Sequence, residues 1–208
     1  MEELKIFAPA TVANLSCGFD VLGCCLDNIG DGMIIRKNDL AEVRITRITG
    51  QDLPMETHRN VAGVAVLALL QELKINQGFD IEIDKNIKAG SGIGSSAASS
   101  AGAVFAVNKL LGEPFNSTQL IPFAMEGERL ASGNAHADNV APALLCGFSL
   151  VTSYEPFEII TLPTPPVLRM VVLHPLIEVT TKDSRSIIKH NVTRKKAINQ
   201  WGNLAGFI

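Results

Sequence analysis

The stretch KAGSGIGSSAASSAGAV, residues 88–104, is the feature that most narrowly limits the fold of this chain. It follows an alternating segment, Phe79–Asp84, that predicts a strand, and it leads into small residues, Ser95–Leu111, that predict a helix stopped by Gly112 and Pro114. Glycines let successive backbone N–H groups turn inward, and a helix start adds free N–H groups and a positive dipole end. The order of strand, glycine loop and helix therefore favours a phosphate-binding loop.

Three known types of nucleotide-binding loop can be compared with the sequence of this stretch. A Walker A loop needs a lysine directly after its last glycine, and none stands there. A Rossmann fingerprint is met formally by Gly92, Gly94 and Ala97, but residues 85–91 separate it from the strand and the expected acid, Glu113, lies in a turn. A protein-kinase glycine loop leads into a strand, whereas a helix is predicted here. From the loop alone, close helix packing stays open as the alternative to phosphate binding.

The rest of the chain predicts an α+β fold in mixed rather than strictly alternating order. Further strands are predicted at Leu4–Ala8, Gly32–Lys37, Val43–Thr49, Gly147–Thr152, Glu158–Leu162 and Arg169–His174. Further helices are predicted at Asn60–Leu73 with Asn60 as N-cap, at Ser117–Ala131 with Ser117 as N-cap, at Ala137–Leu145, at Lys182–Lys189 and from Thr193 onward.

Charge and cysteine content exclude several kinds of partner. The net charge of −3 gives no basic surface for nucleic acid. No run of about 18 apolar residues predicts a membrane span, and the polar amino terminus does not resemble a signal peptide. The four cysteines form no CxxC pair. We therefore expect a reduced, cytoplasmic protein with neither a nucleic-acid nor a membrane partner.

Two other segments place polar residues among apolar ones. APATVANLSCGFDVLG, residues 8–23, contains Asn14 and Asp20. EGERLASGNAHADNVAPALLCG, residues 126–147, contains four polar site candidates, namely Glu128, His136, Asp138 and Asn139. Such residues are either hydrogen-bonded structural groups or parts of a site, and for any one of them the structural explanation is the commoner.

Taken together, these segments resemble the GHMP kinase superfamily and, within it, the homoserine kinases. The matching stretches are PATVANLSCGFDVLG, GSGIGSSAAS, HADNVAPALLCG and VTTKDSRSII, in that order. Two positions depart from the family pattern: Lys88 stands where a proline is usual, and Ser16–Cys17 replaces a more usual pair such as Gly-Pro.

The resemblance implies a two-domain GHMP kinase fold. Residues 1–162 would form a complete N-terminal ATP-binding domain with a mixed sheet and helices. Residues 163–208 would begin a ferredoxin-like C-terminal domain. The third glycine-rich motif of the family does not occur in this sequence, so the resemblance also implies a C-terminally truncated, incomplete second domain.

The function implied is transfer of the γ-phosphate of ATP to the side-chain hydroxyl of L-homoserine, which gives O-phospho-L-homoserine for threonine biosynthesis. This chemistry depends on alignment and charge neutralisation, with Mg²⁺ as cofactor. Another GHMP kinase with a different alcohol substrate and a nucleotide-binding but inactive fragment are the alternatives. A homodimer is left open.

The resemblance also assigns roles to residues. The ATP-binding set is Asn60, Lys88, Ala89, Gly90, Ser91, Gly92, Ile93, Gly94, Ser95, Ser96, Ala97 and Ala98. The metal ligands would be Ser96 and Glu128. The homoserine-binding set is Asn14, Asp20, His136, Asp138, Thr181 and Arg185, with Arg185 suited to the substrate carboxylate. Asp138 and Asn139 would be catalytic, and Asp138 could act as a general base or by positioning alone. For Asn60, helix capping is an equally good explanation.

Overall fold

A mixed six-stranded sheet is the framework of the described part of the chain, residues 2–173, 187–189 and 191–208 of a computed structural model. Its strands are β1 (Glu3–Ala13), β2 (Leu22–Asn38), β3 (Val43–Thr49), β4 (Gly78–Asp84), β5 (Phe148–Tyr154) and β6 (Phe157–Leu162). Within the described ranges five α-helices accompany the sheet: α1 (Val61–Leu73), α2 (Ser95–Leu110), α3 (Ser117–Ser132), α4 (Val140–Leu145) and α5 (Arg194–Phe207).

The long strand β2 organises the sheet. One of its edges pairs with β1, and the opposite edge pairs with β4 at residues 32–38 and with β5 at residues 22–24. The strand order along the sheet is β3-β4-β2-β5-β6, and β1 pairs with the edge of β2 that faces away from β4 and β5. Only the pairing of β3 with β4 is parallel among the ladders of the described residues.

Helix α2 lies at the centre of the core, between the sheet and the other helices. Thirteen of its sixteen residues are buried, because its small side chains allow close packing on β1 and β2 and against α1, α3 and α4. A Cβ atom at Gly102 would lie 2.8 Å from the Cβ of Ala8 and 2.8 Å from the sulfur of Met33. The small residues of this segment therefore serve close packing as well as the loop that precedes them.

Most predicted elements are present, with a few corrections. Asn60 caps α1, since its side chain accepts a hydrogen bond from the Ala62 N–H. The cap of α3 is Asn116 rather than Ser117, because Asn116 forms a reciprocal capping box with Gln119.

The region after β6 departs from the sequence-based prediction. Residues 169–173 form no regular structure, so the strand predicted there is wrong for these residues. The final residue of that strand and most of the helix predicted at 182–189 lie outside the described residues. α5 begins at Arg194 with Thr193 as its cap. No helix in the described ranges is long and apolar enough to cross a membrane.

Candidate active site

A cavity of about 490 Å³ opens where three distant parts of the sequence meet. They are the loop between β4 and α2, the end of α3, and the loop that leads into α4. Twelve residues proposed from the sequence line it: Asn14, Asn60, Ala89, Gly90, Gly92, Gly94, Ser95, Ser96, Glu128, His136, Asp138 and Asn139. The fold thus brings the glycine-rich loop, Asn14 of the first motif and the four polar candidates of residues 126–147 into one cavity.

The glycine-rich loop has the backbone that its composition predicts. Gly90, Gly92 and Gly94 have φ angles of 76°, 78° and 66°, in the left-handed region that glycine adopts without strain. Gly94 is also closely confined, since a Cβ there would lie 2.0 Å from Oγ1 of Thr11 and 3.0 Å from Oδ1 of Asn139. The loop therefore presents backbone to the cavity at the N-terminus of α2.

A buried ion pair that the sequence analysis missed lies beneath this loop. Asp31 on β2 and Lys85, just after β4, are 0% and 4% exposed, and the Lys85 ammonium contacts the Asp31 carboxylate. Burial lowers the pKa of Lys85, and the charge of Asp31 opposes that shift. The only sequence signal for the pair is the isolated acid in the apolar stretch IGDGMII, which has no local partner.

The start of α2 and the end of α3 meet through Ser96 and Glu128. Oε1 of Glu128 is buried without a hydrogen-bond partner in the described structure. Burial raises the pKa of Glu128; the neighbouring Ser96 hydroxyl lowers it, and the nearby Asp138 raises it further. Helix α3 can come this close because residue 127 is glycine: a Cβ there would lie 2.0 Å from Oγ of Ser100.

These two side chains suit a magnesium ion. A carboxylate with one oxygen still free and a hydroxyl beside it are hard oxygen donors, which Mg²⁺ prefers, and Mg²⁺ commonly takes only one or two protein ligands alongside phosphate and water. An unpartnered buried carboxylate oxygen is costly unless a cation or donor reaches it. The residues present therefore fit the metal that the sequence resemblance implies.

Asp138 is the second carboxylate of the cavity and is 3% exposed. Burial raises its pKa; His136 opposes that shift, Asp20 adds to it, and backbone N–H groups of Asn139 and Asp138 lower it. Nε2 of His136 is buried without a partner among the described residues. The carbonyl of Asp138 packs on β2, where a Cβ at Gly23 would lie 1.7 Å from it. Two raised carboxyl pKa values and an unpartnered imidazole nitrogen make this side the candidate for the reactive groups.

Hydrogen bonds fix the loops that carry these groups. The Thr11 hydroxyl donates to Oδ1 of Asn139 over 2.8 Å, which sets the orientation of that amide. The Tyr154 hydroxyl accepts from the N–H of Ala137 at 3.2 Å and donates to the Asp20 carbonyl at 3.5 Å. Neither Thr11 nor Tyr154 was singled out from sequence, because the contacts with Asn139 and Asp20 are more than 100 residues away along the chain, and even the contact of Tyr154 with Ala137 spans 17 residues.

The loop between β1 and β2 closes through its own polar residues. Oδ1 of Asn14 accepts from the Asp20 N–H at 2.9 Å, and both residues have left-handed backbone, with φ angles of 57° and 61°. Asn14 reaches the cavity wall, whereas Asp20 lies behind it, close enough to influence Asp138.

Other proposed residues lie away from the cavity wall. In the described part of the chain these are Lys88, Ser91, Ile93, Ala97 and Ala98, besides Asp20. Ala97 and Ala98 are fully buried in the core, and the Ile93 carbonyl accepts from the Thr11 N–H at 3.2 Å. Thr181 and Arg185 lie outside the described residues.

Asn60 lines the cavity but uses both ends of its amide within the protein. Its Oδ1 caps α1 by accepting from Ala62 at 3.0 Å, and its Nδ2 donates to the Pro54 carbonyl at 2.8 Å. Arg59, also on the wall, was not proposed from sequence.

Comparison with known proteins agrees with this geometry. The model of the GHMP kinases N terminal domain matches residues 60–147. The chain is 43% identical to the homoserine kinase of Chloroherpeton thalassium over 220 residues, covering 100% of this chain and 69% of that protein. It is 39% identical to the homoserine kinase of Methanococcus vannielii, with the same 100% and 69% coverage.

Solved structures extend the comparison to the fold. The homoserine kinase of Cytophaga hutchinsonii matches with a TM-score of 0.90 and 47% identity, covering 100% of this chain and 67% of that one. The mevalonate kinase of Methanococcus jannaschii matches with a TM-score of 0.61 at 16% identity, covering 78% of this chain and 56% of that one, which shows a shared fold. The predicted mixed sheet-and-helix fold of the GHMP kinases is confirmed.

Proposed function

Because the chain belongs to the homoserine kinase family of GHMP kinases, we propose that it transfers the γ-phosphoryl group of ATP to the side-chain hydroxyl of L-homoserine. The observation that carries this function is a single cavity with the N-terminus of α2 on one side and the carboxylates of Glu128 and Asp138 on the other. Phosphoryl transfer needs a polyphosphate, a cation and an acceptor alcohol held in line, and this arrangement can hold all three.

The nucleotide-binding part of the site is the loop of residues 88–98 with the start of α2. Its backbone N–H groups and the positive end of the helix dipole favour a triphosphate. Asn60 and Pro54 form the wall on the α1 side, where we place the adenine end of ATP. The amide of Asn60 is engaged internally, so its contribution there is shape rather than a free hydrogen-bonding group.

The metal-binding part of the site would be formed by Ser96 and Glu128, which would hold Mg²⁺ against the phosphates. When bound, Mg²⁺ neutralises phosphate charge as the transfer proceeds. The chain itself supplies a carboxylate whose pKa is raised by burial and, to a smaller extent, by the nearby Asp138. Binding of a cation would therefore favour the ionised form of Glu128.

The part of the site that binds the acceptor alcohol is proposed to comprise Asn14, Asp20, His136 and Asp138, with Thr181 and Arg185 for the amino-acid head group. Asp138 and Asn139 are proposed to hold the acceptor hydroxyl. Asp138 is buried and its pKa is raised, which suits a group that accepts a proton from an alcohol. Positioning of the hydroxyl without proton transfer would use the same contacts, and the pH dependence of the rate separates the two roles.

The direct test is an ADP-release assay with Mg²⁺ and a panel of acceptors. We expect homoserine to be phosphorylated in preference to serine, mevalonate and galactose. ADP release with another alcohol alone would assign a different substrate within the same superfamily. Calorimetric binding of an ATP analogue without acceptor-dependent turnover would identify a nucleotide-binding protein that lacks kinase activity.

Other features are proposed on the same premise. We place the protein in the cytoplasm, assign residues 1–162 and 163–208 to separate N-terminal and C-terminal domains, and consider a homodimer. Light scattering on the purified chain measures its mass in solution, and limited proteolysis would cut near residue 162 if the division is correct.

A further inference from the structure

The buried ion pair of Asp31 and Lys85 has no role in the chemistry proposed above. Both residues are almost completely removed from solvent, at 0% and 4% exposure. Burial of two charges costs several kcal/mol per ion, and a well-packed apolar pair of similar volume is often at least as stable. A function other than stability is therefore a reasonable explanation for its presence.

Lys85 contacts the end of the glycine-rich loop that leads into α2. Besides Asp31, its Nζ donates to the carbonyl of Ser95 over 2.7 Å and to the hydroxyl of Ser99 over 2.9 Å. Both acceptors belong to the first turns of α2, where the loop ends. Lys85 reaches the cavity wall, but three acceptors use all three N–H donors of its ammonium group, so it holds the helix start.

Asp31 contacts the end of the same loop that follows β4. Its Oδ1 accepts from the N–H groups of Asn86 and Ile87, each over 2.8 Å, where the chain leaves β4. A further bond joins the two sides directly, since the Ser95 hydroxyl donates to the Ile87 carbonyl over 2.9 Å. Residues 85–87 and 95–99, hereafter the two stems, are thus tied together through one ion pair.

Between the stems the loop is open. Lys88, Ala89, Gly90 and Gly92 are exposed, and a Cβ at either glycine would meet no described atom within 4 Å. Apart from the Ala89 N–H, which donates to Oε1 of Gln51 over 2.7 Å, this segment gains little from packing, so its average position depends largely on where its two ends are held. Preorganised donors bind an anion more tightly than donors that must first be ordered.

We propose that Asp31 and Lys85 are positioning residues that fix both stems of the glycine-rich loop in the geometry that receives the ATP triphosphate. This inference rests on the proposed function for the identity of the ligand. It concerns nucleotide binding alone, because both residues act on the loop and neither contacts Asn14, His136 or Asp138 in the described structure.

The test compares the charge-free double variant D31N/K85M with the wild-type chain. The amide introduced at position 31 can still accept from the Asn86 and Ile87 N–H groups. The methionine introduced at position 85 keeps most of the side-chain volume and loses the ties to Ser95 and Ser99. We expect the Kd for a non-hydrolysable ATP analogue with Mg²⁺ to rise by about 10- to 100-fold. The KM for ATP should rise in parallel, and the KM for homoserine should change by less than about twofold.

A matched control removes another ion pair of β4. Arg44 and Asp80 join β3 to β4 through two bonds of 2.8 Å, away from the cavity. The variant R44M/D80N should leave the Kd for the ATP analogue within about twofold of wild type. Equal Kd values for the folded D31N/K85M variant and wild type would overturn the inference, as would an equal rise in both double variants.

Hydrogen exchange on the unmodified chain tests the same point without any variant. Before nucleotide is added, the amides of Asn86 and Ile87 should exchange at least about tenfold more slowly than those of Gly90 and Gly92. Equal rates would show that the stems are not held. Failure of homoserine as acceptor would leave this result and the nucleotide Kd unaffected, so failure of the proposed function can be told from failure of the inference.

Discussion

The two sides of the cavity satisfy their polar groups in different ways. On the stem side, the charges of Asp31 and Lys85 face each other and each has further hydrogen bonds. On the carboxylate side, the partly buried Glu128 and the buried Asp138 lie near one another, and burial raises the pKa of both. Oε1 of Glu128 and Nε2 of His136 have no partner in the described structure.

The difference separates scaffold from reactive groups. Satisfied buried charges hold backbone in place, whereas unsatisfied ones store unfavourable free energy that a bound cation or substrate can relieve. We therefore expect substitutions on the carboxylate side to lower activity while sparing or increasing stability. Substitutions that disturb the loop or its supports should lower both.

The largest effect is expected at Asp138, the most reactive position of the carboxylate side. Asp138→Asn should lower kcat by about 100-fold or more, equivalent to about 2.7 kcal/mol, because a hydroxyl-binding and proton-accepting carboxylate is lost. As a base, Asp138 must be ionised, so the rate of the wild type should rise as pH increases through its raised pKa. Steady-state rates across pH measure both effects.

The control for this substitution is Asp39→Asn, at an exposed aspartate after β2, which should leave kcat and its pH dependence unchanged. If wild type and Asp138→Asn show the same pH dependence, proton transfer to Asp138 is wrong and positioning alone accounts for its effect.

Gly94 tests the loop side. Gly94→Ala would force a Cβ into Oγ1 of Thr11 at a φ of 66°, and we expect a loss of about 2–3 kcal/mol in the free energy of unfolding. The displaced loop should also weaken ATP binding by about tenfold or more. Denaturant unfolding and calorimetric titration measure the two effects.

Gly112→Ala is the matched control, because Gly112 has a φ of 86° but no described atom within 4 Å of its hypothetical Cβ. It should cost only the backbone penalty of about 1–2 kcal/mol and leave ATP affinity unchanged. Equal losses of affinity in the two variants would contradict a specific role for the confined glycine.

Glu128 tests whether the carboxylate side trades stability for function. Without Mg²⁺, Glu128→Gln should raise the free energy of unfolding at neutral pH by about 1 kcal/mol, since a neutral amide replaces a carboxylate whose charge is penalised by burial. It should also weaken Mg²⁺-dependent ATP binding.

The raised pKa of Glu128 sets the direction in which stability changes with pH. The folded chain holds the Glu128 proton more strongly than the unfolded chain, so this group makes stability fall as pH rises from the ordinary glutamate pKa through its raised value. Thermal unfolding between about pH 4 and 8 should show this slope in wild type and less of it in Glu128→Gln. Glu126→Gln, on the same helix and paired with Arg129, should retain it. A less stable Glu128→Gln at neutral pH would contradict the trade-off.

The smallest effect is expected at Asn60. Asn60→Ala should cost about 1 kcal/mol of stability through loss of the α1 cap, with less than about threefold change in the KM for ATP. Asn116→Ala, which removes the cap of α3, is the reference for a pure capping loss. A rise in KM about tenfold larger for Asn60→Ala than for Asn116→Ala would show that Asn60 binds nucleotide directly.

Local sequence signals predicted much of this molecule. The strand Val43–Thr49 and the helix from Asn60 agree with the structure because alternation, helical spacing and a capping side chain act over a few residues. The cap of α3 was misplaced by one residue because Asn116 and Ser117 are both good caps, and only the reciprocal bond with Gln119 selects between them. The end of the chain was less predictable, since residues 169–173 form no strand despite their apolar pattern.

The sequence by itself determined the glycine-rich loop at the start of α2, because left-handed backbone and small side chains are properties of the residues themselves. It also determined which polar residues were candidates for a site. Only the tertiary structure decided that Asp31 and Lys85, 54 residues apart, form a buried pair under that loop, and that Glu128 and Asp138 share one cavity. The physical reason is that burial and charge proximity depend on how distant segments pack, and these set both pKa values and the cost of an unpaired group.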